Sequence, residues 1–292
     1  MVALVLSTVH AIWVYFDSFQ RPNALLALAA NANIAVYDFF MGRELNPRLT
    51  FLGKDVDLKY FNELRPGMTG WALILFSSIM RHLQVEQSLG TKRWGKFLLL
   101  VSFQLWYIVD SVWFEESILT TVDIVSDGFG FMLSFGDLVW VPFTFSLQAR
   151  YLAYHPLHLP LAQVLAIGLL AASGAFVFRS ANSQKNLFRT QPDHPSVKHL
   201  RAIQTKRGTR LLADGWWGMA RHINYLGDFS LGLAWCLTTS TNTPITYLYA
   251  AYFASLLIHR ERRDDSDCHA KYGADWETYR KLVPWRIIPK IY

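Results

Sequence analysis

Residues 159–178, LPLAQVLAIGLLAASGAFVF, hold no charged side chain. A run of that length and polarity matches the roughly 20 residues an α-helix needs to cross the hydrocarbon core of a bilayer. The composition agrees: 52% of the 292 residues are hydrophobic, 15% aromatic and only 17% charged, against about 25% charged in an average soluble domain. A soluble enzyme of this length buries a good core with less, so the distribution of apolar residues decides between the two. Working outward, further apolar windows fall at 1–16, 23–41, 67–80, 97–114 and 128–147, with two shorter ones at 225–238 and 244–258. None shows the alternation of a transmembrane β-barrel. The expected fold is therefore all-α and polytopic, with about eight helical spans.

The first window opens at Met1 with no preceding Lys or Arg and no small-residue cleavage site, so it reads as a helix rather than a signal peptide. Cys236 and Cys268 make no metal or redox spacing, and with Cys236 inside a window no disulfide is expected. Cys268 and His269 are adjacent with no second ligand pair to follow, so no metal site is expected.

The net charge is +6, and the positive residues collect in two segments, 179–221 and 260–290. The positive-inside rule places both in the cytoplasm, with a helical hairpin between them turning at the uncharged Ser240-Thr241-Asn242-Thr243. Counting spans backward puts Lys92, Arg93 and Lys96 on the opposite face, which breaks the rule and suggests a broken or re-entrant window upstream. Two regions are expected, a membrane region over 1–178 and a C-terminal region over 179–292. Nucleic acid is not an expected partner, because the aromatics lie within spans rather than among the basic residues.

Three polar patterns carry candidate chemistry. Arg221, Asn224, Tyr225 and Asp228 follow helical spacing into an apolar window. Such residues at membrane depth cost on the order of 2.5–3.5 kcal/mol each when ionised and so face a cavity or partner, although an interfacial helix end anchored by Trp217 and Arg221 explains the same pattern. Arg260, Asp264, Cys268 and Tyr272 recur every four residues and share one helical face, the alternative being a solvated helix. Lys185 and Arg189, again four apart, suit a phosphate such as the extra 2′-phosphate of NADPH, or simple cytosolic decoration. No Gly-rich dinucleotide fingerprint follows a strand. Within the windows, Asp110 follows Trp106-Tyr107, and Asp123, Asp127 and Asp137 lie near Gly128, Gly130 and Gly136, which permit close backbone approach. A buried Tyr near an Asp suits proton delivery, and polar helix-packing contacts are the competing explanation.

The stretch Gly215-Trp216-Trp217-Gly218-Met219-Ala220-Arg221-His222-Ile223-Asn224-Tyr225-Leu226-Gly227-Asp228 resembles the signature of the sterol reductase family, which includes the delta-14 and delta-7 reductases and the membrane part of the lamin B receptor. The likeness continues through Arg43-Glu44-Leu45-Asn46-Pro47-Arg48, Glu63-Leu64-Arg65-Pro66-Gly67, Asp127-Gly128-Phe129-Gly130-Phe131-Met132, Gly136-Asp137-Leu138-Val139-Trp140-Val141-Pro142 and the tail from Tyr272-Gly273 to Pro284-Trp285-Arg286-Ile287-Ile288-Pro289. Glu63 to Gly67 and Gly128 to Phe131 look more like the delta-14 group.

The resemblance implies ten spans in the family, against about eight here, in an endoplasmic reticulum or bacterial inner membrane. It also implies NADPH in a cytosol-facing C-terminal pocket beside a sterol pocket. Carried over by motif, Lys185, Arg189, Leu212, Trp217, His222, Asn224, Tyr225, Asp228, Arg260, Asp264, Cys268 and Tyr272 line the cofactor site. Tyr107 is the candidate proton donor, with Asp127 second. The expected reaction is reduction of a ring double bond, most readily C14–C15, by protonation and hydride transfer. Two other readings stay open: the C-terminal motif also resembles isoprenylcysteine carboxyl methyltransferases, which use S-adenosylmethionine, and the second is a non-catalytic sterol-binding protein, in a fold that the lamin B receptor shows can serve in a scaffold.

Overall fold

The computed structural model describes residues 1–27, 30–90, 94–157, 159–241 and 243–292. Lys92 and Arg93, which break the charge pattern, and Asn242 of the uncharged turn lie outside the described residues. The chain divides into two compact units, Met1–His158 and Leu159–Tyr292.

The first unit runs α1 (Val2–Gln20), α2 (Ala35–Met41), an antiparallel hairpin of β1 (Arg48–Phe51) and β2 (Lys54–Asp57), α3 (Leu58–Asn62), α4 (Met68–Leu89), α5 (Trp94–Trp113), α6 (Val122–Val125), α7 (Phe131–Phe135), α8 (Val141–Phe145) and α9 (Leu147–Tyr154). Asp57 starts α3 by accepting the Tyr60 N–H at 3.0 Å, a standard N-terminal cap. From α3 the chain passes into α4 through a wide π turn, Glu63–Gly67, with Pro66 inside it. Proline has no N–H to donate and crowds the carbonyl four residues back, and the looser π turn accommodates it without breaking the helix. A second π turn, Gly136–Trp140, links α7 to α8 just before Pro142.

The loop that carries Asp127 is held from both sides. Lys59 is buried, and its ammonium donates to the main-chain carbonyls of Asp123 at 2.6 Å, Ile124 at 3.0 Å and Asp127 at 2.6 Å. Those carbonyls end α6, where a cation also suits the helix dipole. On the other side the backbone lies directly against residue 42: a Cβ on Gly128 would sit 1.8 Å from the Gly42 carbonyl oxygen, and one on Gly130 2.3 Å from the Gly42 nitrogen. Close approach is thus required at Gly128 and Gly130. Gly136 meets nothing within 4 Å, so its expected packing role is not found.

The second unit opens with α10 (Leu161–Thr190), 30 residues long and hence about 45 Å. This helix continues through residues 178 and 179, where the sequence suggested a boundary, and carries Asn182, Lys185 and Arg189 beyond its apolar part. A short hairpin, β3 (Ala202–Gln204) with β4 (Arg210–Leu212), precedes α11 (Trp216–Met219), α12 (Ile223–Leu237), α13 (Leu248–Tyr272) and α14 (Ala274–Leu282). Helices α10 and α12 meet backbone to backbone. A Cβ on Gly227 would lie 2.6 Å from the Phe178 nitrogen and 2.7 Å from the Gly174 oxygen, the small-residue packing by which membrane helices approach closely.

Two expectations need correction. The fold is mostly helical rather than strictly all-α, because two short antiparallel hairpins interrupt it. The expected spans are also uneven: among the described residues three helices are long and apolar enough to cross a membrane, Val2–Gln20, Gly95–Trp113 and Leu161–Thr190. Window 23–41 is helical only over Ala35–Met41, with Leu26 bridged to Glu44. Window 128–147 is divided among α7, the π turn, α8 and the start of α9. Helix α12 has 15 residues, and α13 has 25 but turns strongly charged beyond Ile258.

Candidate functional site

The candidate cofactor residues all lie in the second unit. Trp217 sits in an apolar cluster with Phe188, Val197 and Leu212, so Leu212 and Trp217 serve as the buried wall. The Trp217 indole N–H donates to the Ala181 carbonyl at 2.8 Å, which fixes the ring, and the Lys185 ammonium lies 3.9 Å from the ring centroid. This cation–π contact places Lys185 one helical turn from Arg189 at the end of α10. Neither side chain is ion-paired within the described residues.

Gly215 turns the chain into α11 with φ 59 and ψ −135, backbone that only glycine adopts comfortably. Gln184 accepts the Trp216 N–H at 3.0 Å. Asp214 takes N–H bonds from Gly215 and Arg201, which hold its carboxyl below the usual range. Residues 221 and 222 then form a turn bonded to the tail, the Arg221 N–H donating to the Trp285 carbonyl and that of His222 to the Arg286 carbonyl.

Arg221 therefore precedes α12 and does not share its face with Asn224, Tyr225 and Asp228, contrary to the spacing argument. Its side chain is 3% exposed. The guanidinium lies 3.8 Å from Glu261 and 3.7 Å from Asp265, and donates to the Val283 and Pro284 carbonyls. Glu261 is fully buried and receives Arg286 on both oxygens, at 3.2 and 2.9 Å. Removing one partner from such a buried set costs about 3–5 kcal/mol. Arg221, Glu261, Asp265 and Arg286 form a structural brace that fixes the start of α12 beside α13, and His222 with it.

The brace sets His222 Nε2 3.4 Å from Asp264 Oδ2, and the imidazole stacks on Tyr225 with centroids 4.8 Å apart. Burial lowers the His222 pKa to about 3, with Lys185 and Arg221 adding to the effect. The ring is neutral near pH 7, so its 3.4 Å contact with Asp264 is not an ion pair. Burial raises the Asp264 carboxyl above its ordinary value, partly offset by Lys185. The Cys268 thiol lies 3.9 Å from Asp264 and is pushed up to about 12, first by burial and then by that carboxylate. Cys268 is accordingly a thiol, without nucleophilic character.

Two groups result, Lys185 against Trp217 across α10 and α11, and Tyr225, His222, Asp264 and Cys268 in contact from α12 to α13, with the Lys185 charge acting on His222, Asp264 and Cys268. Asn224 is half-buried and donates to Asn182 Oδ1 at 3.2 Å, while its own Oδ1 has no hydrogen-bond partner. Asp228 and Arg260 are half-buried on α12 and α13. Tyr272 and Cys268 pack on the cluster of Ala213, Trp276, Tyr279 and Val283.

Sequence reasoning missed Asn182, although it lies three residues before Lys185 on the same helical face and was legible there. It also missed the carboxylates of the brace, for which no spacing gives a signal. In the first unit Tyr107 is half-buried on α5 and packs at a tilt against Trp71, centroids 5.8 Å apart. Asp127 is buried in the loop that Lys59 holds.

Among known proteins, the chain is 50% identical over 290 residues to the delta(14)-sterol reductase erg24 of Schizosaccharomyces pombe, covering 99% of this chain and 66% of that one. It is 49% identical over 286 residues to the delta(14)-sterol reductase TM7SF2 of Mus musculus, covering 98% and 66%. To the delta(14)-sterol reductase LBR of Gallus gallus it is 47% identical over 284 residues, covering 97% and 44%. The chain thus spans just under two thirds of the length of the first two. A family profile described as the ergosterol biosynthesis ERG4/ERG24 family matches residues 1–292. With that profile met end to end and relatives about half identical over nearly all of its length, this chain belongs to the ERG4/ERG24 family of ergosterol biosynthesis.

Proposed function

We propose that the protein is a membrane-bound, NADPH-dependent sterol reductase that saturates a ring double bond, C14–C15 by preference. Its relatives named delta(14)-sterol reductase support the substrate class. The observation that carries the cofactor reading is the group of polar and aromatic side chains on α10 to α13 of the second unit. Lys185 and Arg189, two cations without ion-pair partners within the described residues, lie one turn apart on α10, Lys185 against Trp217 and with its charge acting on a neutral His222, and the Asn224 Oδ1 lacks a hydrogen-bond partner. This set fits a phosphorylated dinucleotide. The cations suit a phosphate, since charge-assisted bonds to phosphate are the strong ones, and the Asn224 oxygen and the Asp264 carboxylate can accept from amide, amine or ribose donors. S-adenosylmethionine has no phosphate to use Lys185 and Arg189, so the methyltransferase reading is less favoured. The basic segment 179–221 supports a cytosolic position for this pocket.

Bound in that pocket, NADPH supplies hydride. The chain must supply the rest, because an isolated alkene accepts hydride poorly until it is protonated. Protonation at C15 leaves a tertiary cation at C14, and Tyr107 is the proposed donor of that proton, with Asp127 the alternative. Aromatic faces such as that of Trp71, against which Tyr107 packs, can stabilise positive charge, and a water-poor membrane site keeps solvent from capturing it. Asp264 and the Lys185–Trp217 contact orient the pocket rather than move protons to the sterol.

The test is to incubate the purified protein in lipid with sterols unsaturated at C14, C7 or C24, each with NADPH, NADH or S-adenosylmethionine, and to identify products by mass. A gain of two mass units on the C14-unsaturated sterol with NADPH is expected. A gain of fourteen with S-adenosylmethionine, or no product in any combination, refutes the proposal.

A further inference from the structure

The hairpin β1–β2 is amphipathic. Its register pairs Leu49 with Val56 and Phe51 with Lys54 on one face, and Arg48 with Asp57 and Thr50 with Asp55 on the other, since residues directly opposite point to the same side. The polar face is self-satisfied, Thr50 donating to Asp55 at 2.7 Å. The other face and the tip are apolar and open: Phe51 is 62% exposed and Leu52 87%. The turn residues Leu52 and Gly53 both have positive φ, 50 and 74. A two-residue turn of that kind favours Asn-Gly or Asp-Gly, and a bulky side chain in left-handed backbone is uncommon. The turn gains nothing from leucine, so the leucine is explained by what it meets.

The root of the hairpin says what that is. Arg21 ends α1, one of the three helices able to cross a membrane, and its guanidinium donates to the Arg48 carbonyl at 2.7 Å while pairing with Asp17 and Glu44. The second leg is closed where the Leu58 N–H donates to the Pro47 carbonyl. An arginine at the end of a spanning helix sits at headgroup level, so the hairpin starts from the membrane surface. Four residues per strand reach about 13 Å, enough for a hairpin lying along the surface to press its tip into the acyl boundary. A lone two-stranded hairpin is marginal in water, and an apolar surface covers the side that the protein leaves open.

We propose that the β1–β2 hairpin is an interfacial membrane anchor, with Phe51 and Leu52 inserted among lipid acyl chains and Lys54 reaching back to lipid phosphates. This surface is independent of the proposed turnover and stands or falls without it. The test places a nitroxide at Leu52→Cys or Thr50→Cys in the full chain, in phosphatidylcholine nanodiscs, with the signal of the labelled parent subtracted. Collision rates with oxygen, which partitions into lipid, and with a water-soluble nickel chelate are then compared. Insertion requires a several-fold higher oxygen-to-nickel ratio at 52 than at 50. An equal or lower ratio at 52 overturns the proposal, as does dipolar broadening at 52 that reveals a second copy instead of lipid. A second variant guards against disturbance by the label: Leu52→Asn suits the turn but removes the apolar tip, and it must shift a nitroxide at Phe51→Cys toward nickel access. No shift would equally overturn the anchor.

Discussion

Gly227→Ala tests whether the approach of α10 to α12 is what positions the proposed cofactor residues. The added Cβ meets the Phe178 nitrogen at 2.6 Å and the Gly174 oxygen at 2.7 Å. Both are backbone atoms that no rotamer change can remove. Comfortable carbon contacts lie near 3.5–4.0 Å, so the helices must separate by roughly 0.8 Å. Overpacking of this kind costs about 1–3 kcal/mol, and the better helix propensity of alanine returns up to about 1 kcal/mol. The net loss of about 1–2 kcal/mol corresponds to a melting temperature lower by about 2–8 °C. Because Lys185 rides on α10 and Tyr225 on α12, the same shift spreads the pocket, and misplacement by about 1 Å can cost up to 100-fold in rate. Gly168→Ala is the matched control on α10, where a Cβ meets nothing within 4 Å. Its melting temperature should stay level or rise slightly. The assay is thermal unfolding in detergent with sterol turnover on the same preparations. Parental stability and turnover in Gly227→Ala would refute the reasoning.

Replacing Lys185 and Arg189 together with Ala should weaken NADPH far more than NADH, since each charge-assisted phosphate contact is worth about 1.5–3 kcal/mol; titration with both cofactors checks it, and equal losses contradict the assignment. Tyr107→Phe should lower turnover by about 100-fold to 10,000-fold if the phenol delivers the proton, with NADPH binding unchanged on the same purified variant; normal turnover would pass the role to Asp127. Acid should destabilise the second unit through His222. Its folded pKa of about 3 lies below the ordinary 6.5, so the unfolded chain takes up the proton first, and stability that is complete above pH 6.5 is lost as pH falls toward 3. The loss attributable to this group is about 2 kcal/mol at pH 5, and His222→Gln should flatten the melting temperature between pH 7 and 5 relative to the parent.

Much of this was legible in the chain itself. An uncharged run such as 159–178 fixes its own environment, because its backbone must bond internally once water is gone, and fourfold spacing fixes which side chains share a helical face. That is why Lys185 with Arg189, and Asp264 with Cys268, were placed correctly by counting. Counting failed where regular structure stops. The stripe beginning at Arg221 assumed a helix two residues too early, because the tail carbonyls that bond the N–H groups of residues 221 and 222 lie more than 60 positions away in sequence. Windows 23–41 and 128–147 have the composition of spans, yet they fold as broken segments that meet backbone to backbone at Gly42, Gly128 and Gly130. The brace of Arg221, Glu261, Asp265 and Arg286 carries no sequence signal, because buried charges find partners by proximity in space and not by periodicity. Local sequence thus determined which runs are apolar and, within a continuous helix, which side chains share a face. Only the tertiary structure decided which polar faces meet, because the energy of a buried charge or a close glycine contact depends on atoms that the neighbouring sequence does not contain.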